Sequence, residues 1–140
     1  MQKDSLIFKM LKISKYLKMN LEKDLEKYDL TFNEFSTLTI LKEHGEVPVQ
    51  KIAKKIDITS GSMTYIVNKL VKNNFIQKKK SKEDTRVYLL CLSKNGENFY
   101  NEISNPHFTY AKNLINSIAK DTPINELDQI LNSIINNIKS

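Results

Sequence analysis

Residues 59–96 constrain the fold of this chain more than any other part of the sequence. They begin with a helical pattern in which apolar residues recur every three or four positions, at Met63, Ile66, Val67 and Leu70. Two short apolar segments follow, residues 75–78 and 87–92, and the charged residues between them predict a hairpin. A short helix at residues 50–56, a tight turn, this helix and then a hairpin make a winged helix-turn-helix.

Helical patterns also dominate the rest of the chain. Only three glycines and three prolines occur among the 140 residues, and so few breakers favour long helices with short connections. The patterns predict helices over residues 5–28 and 31–44, a helix that begins after Ser93, and a last helix after Pro123. Pro106 is expected to interrupt or bend the helix that follows Ser93. The predicted fold is mainly α, a winged helix-turn-helix with a two-stranded wing and further helices at both chain ends.

Residues with clear capping preferences mark the ends of these helices. Thr31 followed three positions later by Glu34 forms a capping box, which predicts the start of the second helix. Gly45 suits the position just past the end of that helix. Asn74 tolerates the left-handed conformation and is expected to end the helix that precedes the hairpin.

The chain is basic, with a net charge of +6 and a pI of about 9.3. Such an excess indicates an anionic partner, with nucleic acid favoured over a membrane surface. Cys91 is the single cysteine, so no internal disulfide is possible, which fits a reducing compartment. The sequence shows neither a signal-peptide pattern nor a window long and apolar enough to span a membrane. We therefore expect one cytoplasmic domain.

The helix at residues 59–72 carries a small, polar outer face that suits a DNA groove. Small residues at its N-terminus let the backbone approach, and their N–H groups favour a phosphate; these are Ser60, Gly61 and Ser62. Further along, the outer face offers a methyl, a phenol, an amide and an ammonium, from Thr64, Tyr65, Asn68 and Lys69. An asparagine amide suits adenine, and a threonine methyl suits the methyl of thymine. We expect this helix to read the major groove.

The tip of the hairpin concentrates positive charge. Its lysines include Lys79, Lys80 and Lys82, beside Lys78 on the preceding strand, and we expect them to contact phosphates. Asp84 lies two residues before Arg86, a spacing at which a carboxylate can hold a guanidinium through a bidentate pair. An arginine held in this way is oriented for a narrow minor groove.

These residues resemble the multiple-antibiotic-resistance regulator (MarR) family of bacterial winged-helix transcription factors. The family's wing signature is Asp-x-Arg followed by Leu-Thr-x-x-Gly. The matching motifs here are Asp84-x-Arg86, Leu92-Ser93-x-x-Gly96 and, in the recognition helix, Ile58-Thr59-x-x-Ser62-Met63-Thr64 through Leu70. The resemblance runs from about residue 5 to residue 139.

The resemblance implies a homodimer that binds a pseudo-palindromic operator in double-stranded DNA. It implies repression that is relieved by a small ligand or by oxidation, and the ligand expected here is hydrophobic or phenolic. It divides a single domain, residues 1–140, into a winged helix-turn-helix lobe at residues 30–92 and dimerisation helices at residues 1–29 and 93–140. The dimerisation residues would be Leu6, Ile7, Met10, Leu127, Ile130, Leu131, Ile134, Ile135 and Ile138. The apolar stripe of the last helix independently favours burial against a partner subunit.

The resemblance also implies roles for individual residues. Gln50 and Lys51 open the third helix, where the family often contacts phosphate. By position, Tyr16, Phe35 and Leu38 border the family's ligand pocket, between the dimerisation helices and the winged lobe.

Three positions depart from the family pattern. Thr85 stands where a second arginine is common, Tyr65 where a basic residue often lies, and Asn74 where glycine is frequent. The first two bear on sequence preference or affinity. The first helix has no cysteine, whereas the peroxide-sensing branch of the family keeps its reactive thiol there, so oxidation sensing at that position is not expected.

Two other classes of function stay open. A winged helix also serves as a protein–protein adaptor without DNA binding, since fold does not fix function. An enzyme is disfavoured, because the sequence has no phosphate loop, nucleophile elbow or metal-binding helix motif. His44 and His107 are isolated from other ligand residues, so neither a metal nor a cofactor is expected. Cys91 alternates with Val87 and Leu89 along a strand and is expected in the core.

Overall fold

Six α-helices and three short strands make up the part of the chain that the computed structural model describes, which is residues 2–138, with side chains from Ser5 onward. The helices are α1 (Gln2–Leu25), α2 (Phe32–His44), α3 (Val49–Lys55), α4 (Ser60–Lys72), α5 (Lys94–Ile118) and α6 (Ile124–Ile138). The strands are β1 (Val47–Pro48), β2 (Ile76–Lys80) and β3 (Tyr88–Leu92). The predicted fold class, a mainly α winged helix-turn-helix, is confirmed.

The three strands form one antiparallel sheet in the order β1-β3-β2. Strands β2 and β3 are the two strands of the wing, paired from Ile76 opposite Leu92 to Lys80 opposite Tyr88. The two-residue β1 adds a third strand, with Val47 opposite Leu90. The wing predicted from the sequence has two strands and leaves out β1, because a segment this short has no periodicity of its own.

The predicted caps of α2 and α4 are present. The Thr31 N–H donates to Glu34 Oε1 at 2.9 Å and the Glu34 N–H donates to Thr31 Oγ1 at 3.2 Å, which completes the capping box. Asn74 has a φ of 62° and follows α4 as expected. The first helix ends at Leu25, three residues before the predicted end, because a turn of 3-10 helix at Glu26–Tyr28 leads into the left-handed Asp29.

Pro106 does not interrupt its helix, which excludes one of the two predicted effects of this proline, interruption or bending. Helix α5 runs without a break from Lys94 to Ile118. A proline removes the N–H that would bond the carbonyl four residues earlier, here that of Glu102. Both positions are exposed, so water can satisfy that carbonyl, while the buried Ser104 and His107 on either side keep this stretch of α5 in place.

The prediction that Cys91 lies in the core is wrong. Its neighbour Leu90 is the fully buried residue of β3, whereas Cys91 is half-buried and its Sγ lies 3.9 Å from Gln77 Oε1. Strand alternation leaves two possible faces, and a shift of one residue exchanges them. The sequence pattern predicted that the face of Val87 and Leu89 points into the core. Packing against the helices instead buries the face of Leu90.

The chain divides into two compact units, Met1–His107 and Phe108–Ser140. The first contains the hydrophobic core, in which α2, α3, α4 and β3 each contribute at least one side chain that is almost fully buried; examples are Leu38, Leu41, Ile52, Met63, Leu70 and Leu90. The second consists of the end of α5 and of α6, and its helix α6 buries none of its described residues.

A buried hydrogen bond joins the end of α1 to α5 inside the first unit. Asp24 Oδ2 lies 2.8 Å from His107 Nδ1, and both side chains are less than a tenth exposed. Lys27 pairs with the other carboxylate oxygen of Asp24 at 2.9 Å. Burial alone would raise the pKa of Asp24, but the hydrogen bonds from His107 and Lys27 outweigh it and lower the pKa below its usual value of 3.8. The ionised form of Asp24 is therefore favoured in the folded state.

We expect Asp24→Asn to lower the free energy of unfolding at pH 7 by about 1–3 kcal/mol, because the buried His107 loses a charged partner. A lowered folded-state pKa gives stability above the unfolded-state value, and this stability is lost as the pH falls through the folded-state pKa. Urea titrations between pH 7 and pH 2 should therefore converge for the two proteins at the acid end. The exposed Glu83→Gln is the control, and curves that run parallel from pH 7 to pH 2 would contradict this role.

The base of the wing depends on a close approach at Gly96. A Cβ at this position would overlap the backbone carbonyl of Phe75. The same carbonyl accepts a hydrogen bond from the Ser93 N–H at 3.0 Å, and Ser93 Oγ accepts one from the Gly96 N–H at 2.9 Å. The start of α5 is thereby fixed against the start of β2.

Gly96→Ala should reduce the free energy of unfolding by about 1–3 kcal/mol, since the added methyl forces the backbone of Phe75 to move. Gly61→Ala is the matched control, because a Cβ there has no atom within 4 Å and helix formation favours alanine by up to about 1 kcal/mol. Thermal unfolding of both variants measures the difference. Equal melting temperatures would show that the contact at Gly96 is not a constraint.

Candidate nucleic-acid interface

Helix α4 has one buried apolar face and one exposed polar face, as the sequence predicts. Its buried residues are Met63, Ile66, Val67 and Leu70. On the exposed side, Tyr65 is 71% exposed, and Gly61, Thr64 and Asn68 are also exposed. The apolar face fixes the helix on the core, so the polar face is the part available to a ligand.

The N-terminus of α4 is capped and open. Thr59 Oγ1 accepts the Ser62 N–H at 3.1 Å and holds the first turn in shape. Ser60, Gly61 and Ser62 are exposed, and Gly61 has open space where a side chain would begin. The Thr64 hydroxyl donates to the Ser60 carbonyl at 2.9 Å, so its proton is committed to the helix.

Lys69 does not extend from the polar face with Thr64 and Asn68. Its Nζ lies 2.9 Å from Glu34 Oε1 and 3.0 Å from the Asp29 carbonyl oxygen. Lys69 was predicted to face DNA, because helical periodicity indicates the side of a helix on which a residue lies but not the side chain that it contacts. In the structure it is directed into the lobe.

The predicted pair at the wing tip is present and has the expected bidentate geometry. Arg86 Nε donates to Asp84 Oδ1 at 3.1 Å, and Nη2 donates to Oδ2 at 3.2 Å. The Arg86 N–H also donates to Asp84 Oδ1, at 3.0 Å. These bonds from the side chain and the backbone of Arg86 lower the pKa of Asp84. The Arg86 side chain is 89% exposed, and Asp84 holds its guanidinium on the tip.

Ser81 organises the tip, a role that the sequence analysis missed. Its N–H donates to the Val87 carbonyl at 2.8 Å, which closes the loop. Its hydroxyl oxygen accepts the N–H groups of Glu83 and Asp84, at 3.3 and 3.4 Å. A serine that begins a short polar turn is the signal that was available for this role.

The lysines of the tip differ in their surroundings. Lys79 pairs with Glu46 at 2.6 Å, and this hydrogen bond raises the pKa of Lys79. Lys80 and Lys82 are exposed on the wing. Gln50 and Lys51 are exposed near the start of α3.

A small groove connects α4 to the wing, and it includes Tyr88, which the sequence did not predict as part of the site. Lys78 Nζ lies 4.2 Å from the centre of the Tyr88 ring, a cation–π contact across β2 and β3. These two side chains line a cavity of about 140 Å³ together with Val49, Gln50, Thr64, Val67 and Asn68. Tyr88 was missed because residues 87–92 form an apolar pattern that predicts a strand in the core. Tyr88 lies on the same face of β3 as the buried Leu90, but at the start of the strand, where it is exposed.

The three residues predicted to border a ligand pocket lie in different surroundings. Tyr16 is 47% exposed on α1, whereas Phe35 and Leu38 are buried in the core. The Phe35 ring stacks on Tyr100, with centroids 5.6 Å apart, and meets the His107 ring edge-on at 4.6 Å. Phe35 and Leu38 therefore pack within the core.

The predicted dimerisation residues are largely exposed in the single chain. On α1, Leu6, Ile7 and Met10 are 43–59% exposed. In the second unit, Leu127 is half-buried, and exposure ranges from 37% to 74% at Ile130, Leu131, Ile134, Ile135 and Ile138. Each unit therefore presents exposed apolar side chains on a helix.

Within the described residues, no group of three or more His, Cys, Asp or Glu side chains is placed to hold a metal ion. The described helices include none with the length and apolar character needed to cross a membrane.

Comparisons with known proteins agree with this geometry. The model of the MarR family matches residues 30–88. The HTH-type transcriptional regulator MhqR of Bacillus subtilis is 30% identical over 102 residues, which cover 73% of this chain and 70% of that protein.

Solved structures share the fold at lower sequence identity. AbsC, a MarR family transcriptional regulator from Streptomyces coelicolor, has a TM-score of 0.84 at 18% identity over 99% of this chain and 95% of its own. A mutant MarR from E. coli, complexed with operator DNA, has a TM-score of 0.78 at 17% identity over 93% of each chain.

Proposed function

We propose that this chain, which belongs to the MarR family of transcriptional regulators, is a homodimeric repressor that binds a pseudo-palindromic operator and is released by a small hydrophobic or phenolic ligand. The observation that carries the proposal is the arrangement of α4 and the wing. The polar face of α4 and the exposed Arg86 belong to adjacent elements, and a groove lined by Asn68, Lys78 and Tyr88 connects these elements.

Helix α4 enters the major groove in this proposal. Its capped N-terminus, with Ser60 to Ser62, faces a phosphate through backbone N–H groups. Thr64, Tyr65 and Asn68 face base edges, where an amide or a methyl distinguishes base pairs. Their exposure supports this assignment, because none of them is needed to fill the core.

The wing lies along the backbone and reaches the adjacent minor groove. Arg86 is suited to that groove because Asp84 holds its guanidinium at two points, so little side-chain freedom is lost on binding. Gln50, Lys51, Lys80 and Lys82 are exposed at positions suited to phosphate contact. Lys79 contributes less, since Glu46 balances its charge.

A dimer supplies the second reading helix. The exposed apolar residues of α1 and those of α6 need cover, and a second copy of the chain provides it symmetrically. In such a dimer, two α4 helices reach successive major grooves about 34 Å apart.

Ligand release depends on α2 in this proposal. Helix α2 contacts α1, α4 and β3. Because Phe35 and Leu38 are buried, a ligand that reaches them from the side of Tyr16 has to displace packed side chains. The resulting shift of α2 would change the position of α4, and with it the spacing of the two reading helices.

The test is footprinting of the protein on the DNA upstream of its own coding sequence, with and without phenolic and hydrophobic compounds. We expect a symmetric protected region that is lost on addition of an effective compound. Absence of binding even at low salt would favour the alternative, a winged-helix adaptor that binds another protein.

Arg86→Ala should weaken operator binding by about 1–3 kcal/mol, because a groove-contacting arginine is lost. Its melting temperature should not change, since the side chain is 89% exposed. Asp84→Asn should show a smaller loss, because the guanidinium stays but is held less firmly. Lys82→Ala is the control for a simple phosphate contact, and gel-shift titrations compare the variants. Wild-type affinity in Arg86→Ala would remove the wing arginine from the mechanism.

Ile134→Glu should convert the dimer to monomer, because a charge replaces an apolar side chain in the proposed interface. Light scattering at micromolar concentration measures the mass, and operator affinity should fall with it. Asn136→Glu is the matched control, on the polar side of the same helix. A monomeric wild-type protein at this concentration would count against the dimer.

A further inference from the structure

One oxygen atom of Glu34 serves two elements of the winged lobe. Its Oε1 accepts the Thr31 N–H at 2.9 Å, which caps α2, and the Lys69 ammonium, also at 2.9 Å, from the last turn of α4. The same ammonium donates to the carbonyl of Asp29 at 3.0 Å. Asp29 is the left-handed residue between the end of α1 and the start of α2.

The pair is built into the fold. The Glu34 side chain is 1% exposed and that of Lys69 26% exposed, and a buried carboxylate without a partner is costly. Burial alone would lower the pKa of Lys69, but the hydrogen bond to Glu34 and the attraction of its charge outweigh this and raise the pKa. Lys69 is therefore charged at neutral pH and stays bound to Glu34.

This contact adds direction to the apolar packing of α4. The buried residues of α4 are apolar side chains such as Met63 and Leu70, whose attraction is non-directional. A hydrogen-bonded ion pair has a fixed length and direction. The Lys69 contact therefore sets the angle of α4 relative to the junction between α1 and α2.

We propose that Lys69 is a positioning residue for operator recognition, through which α1 sets the placement of α4. In the dimer, α1 belongs to the shared helices, so the angle set by Lys69 determines the distance between the two α4 helices. The inference rests on the proposed function, and it replaces a direct contact of Lys69 with DNA.

The first experiment separates positioning from contact. Lys69→Met keeps the length of the side chain and removes the ammonium. We expect operator affinity to fall roughly tenfold, within the range for residues that couple distant sites, with no change in the dependence of binding on salt. Loss of a phosphate contact would instead make the negative slope of log K against log salt less steep by about 0.9. A slope that is less steep by that amount would make Lys69 a DNA ligand and overturn the proposal.

The second experiment measures the spacing of half-sites. Operators with one base pair added or removed between the half-sites should bind wild-type protein much more weakly than the natural operator. Lys69→Met should discriminate less among these spacings, whereas Lys69→Arg, which can still donate to Glu34, should regain the discrimination. Lys72→Met, in the same turn of α4, is the control. Unchanged discrimination in Lys69→Met would refute positioning.

A variant of Glu34 keeps the proposal testable where Lys69→Met is poorly folded. Glu34→Gln retains an oxygen for the Thr31 N–H and removes the charge that holds Lys69. Since Glu34 is buried, it cannot touch DNA, yet it should reproduce part of the loss in spacing discrimination. In the double variant, the effects of the two substitutions should not add. Circular dichroism at each titration temperature establishes the folded fraction.

Failure of the proposed function is distinguishable from failure of this inference. Wild-type protein that binds no operator would overturn both. Wild-type protein that binds with a clear spacing preference, beside a folded Lys69→Met with the same affinity and preference, would overturn the inference alone.

Discussion

The arrangement of the winged lobe depends on the hydrogen bonds that the buried Glu34 carboxylate accepts from α4 and from the start of α2. A charge with 1% exposure is tolerable only with hydrogen-bonding partners. Those partners are the first residue of the α2 cap and a lysine of α4. Hydrogen bonds thereby link the start of α2, the junction after α1 and the orientation of α4. A change in one of these three features alters the contacts of the other two.

A second fixed point holds the wing on the other side of α4. The Ser93 hydroxyl donates to the Asn74 carbonyl at 2.7 Å, and the rings of Phe75 and Phe99 stack with centroids 4.2 Å apart. Gly96 allows the backbones of α5 and β2 to touch. The two elements proposed to contact DNA are therefore each attached next to a long helix: α4 at the junction that follows α1, and the wing at the start of α5. A displacement of either long helix would move the surface proposed to contact DNA.

The features that the sequence predicted are those whose partners are close in the chain. The capping box joins Thr31 to Glu34, the wing pair joins Asp84 to Arg86, and the two faces of α4 follow from helical period alone. Long-range partners escaped prediction, because only packing decides which side chains meet. Glu34 meets Lys69 across 35 positions, His107 meets Asp24 across 83, and the face of β3 that points inward was chosen by the helices.

The same distinction changes how the basic charge should be interpreted. Composition gives a net charge of +6, but several lysines have acidic partners inside the chain; these pairs are Lys27 with Asp24, Lys42 with Glu97, Lys69 with Glu34, and Lys79 with Glu46. A paired lysine releases few counterions when DNA binds, so the salt dependence of binding reports only the cations directed at phosphate. In the proposed mechanism, charge brings the two molecules together, whereas Lys69 acts on geometry. The fit of the proposed reading helices to an operator would then depend also on a residue that does not touch it.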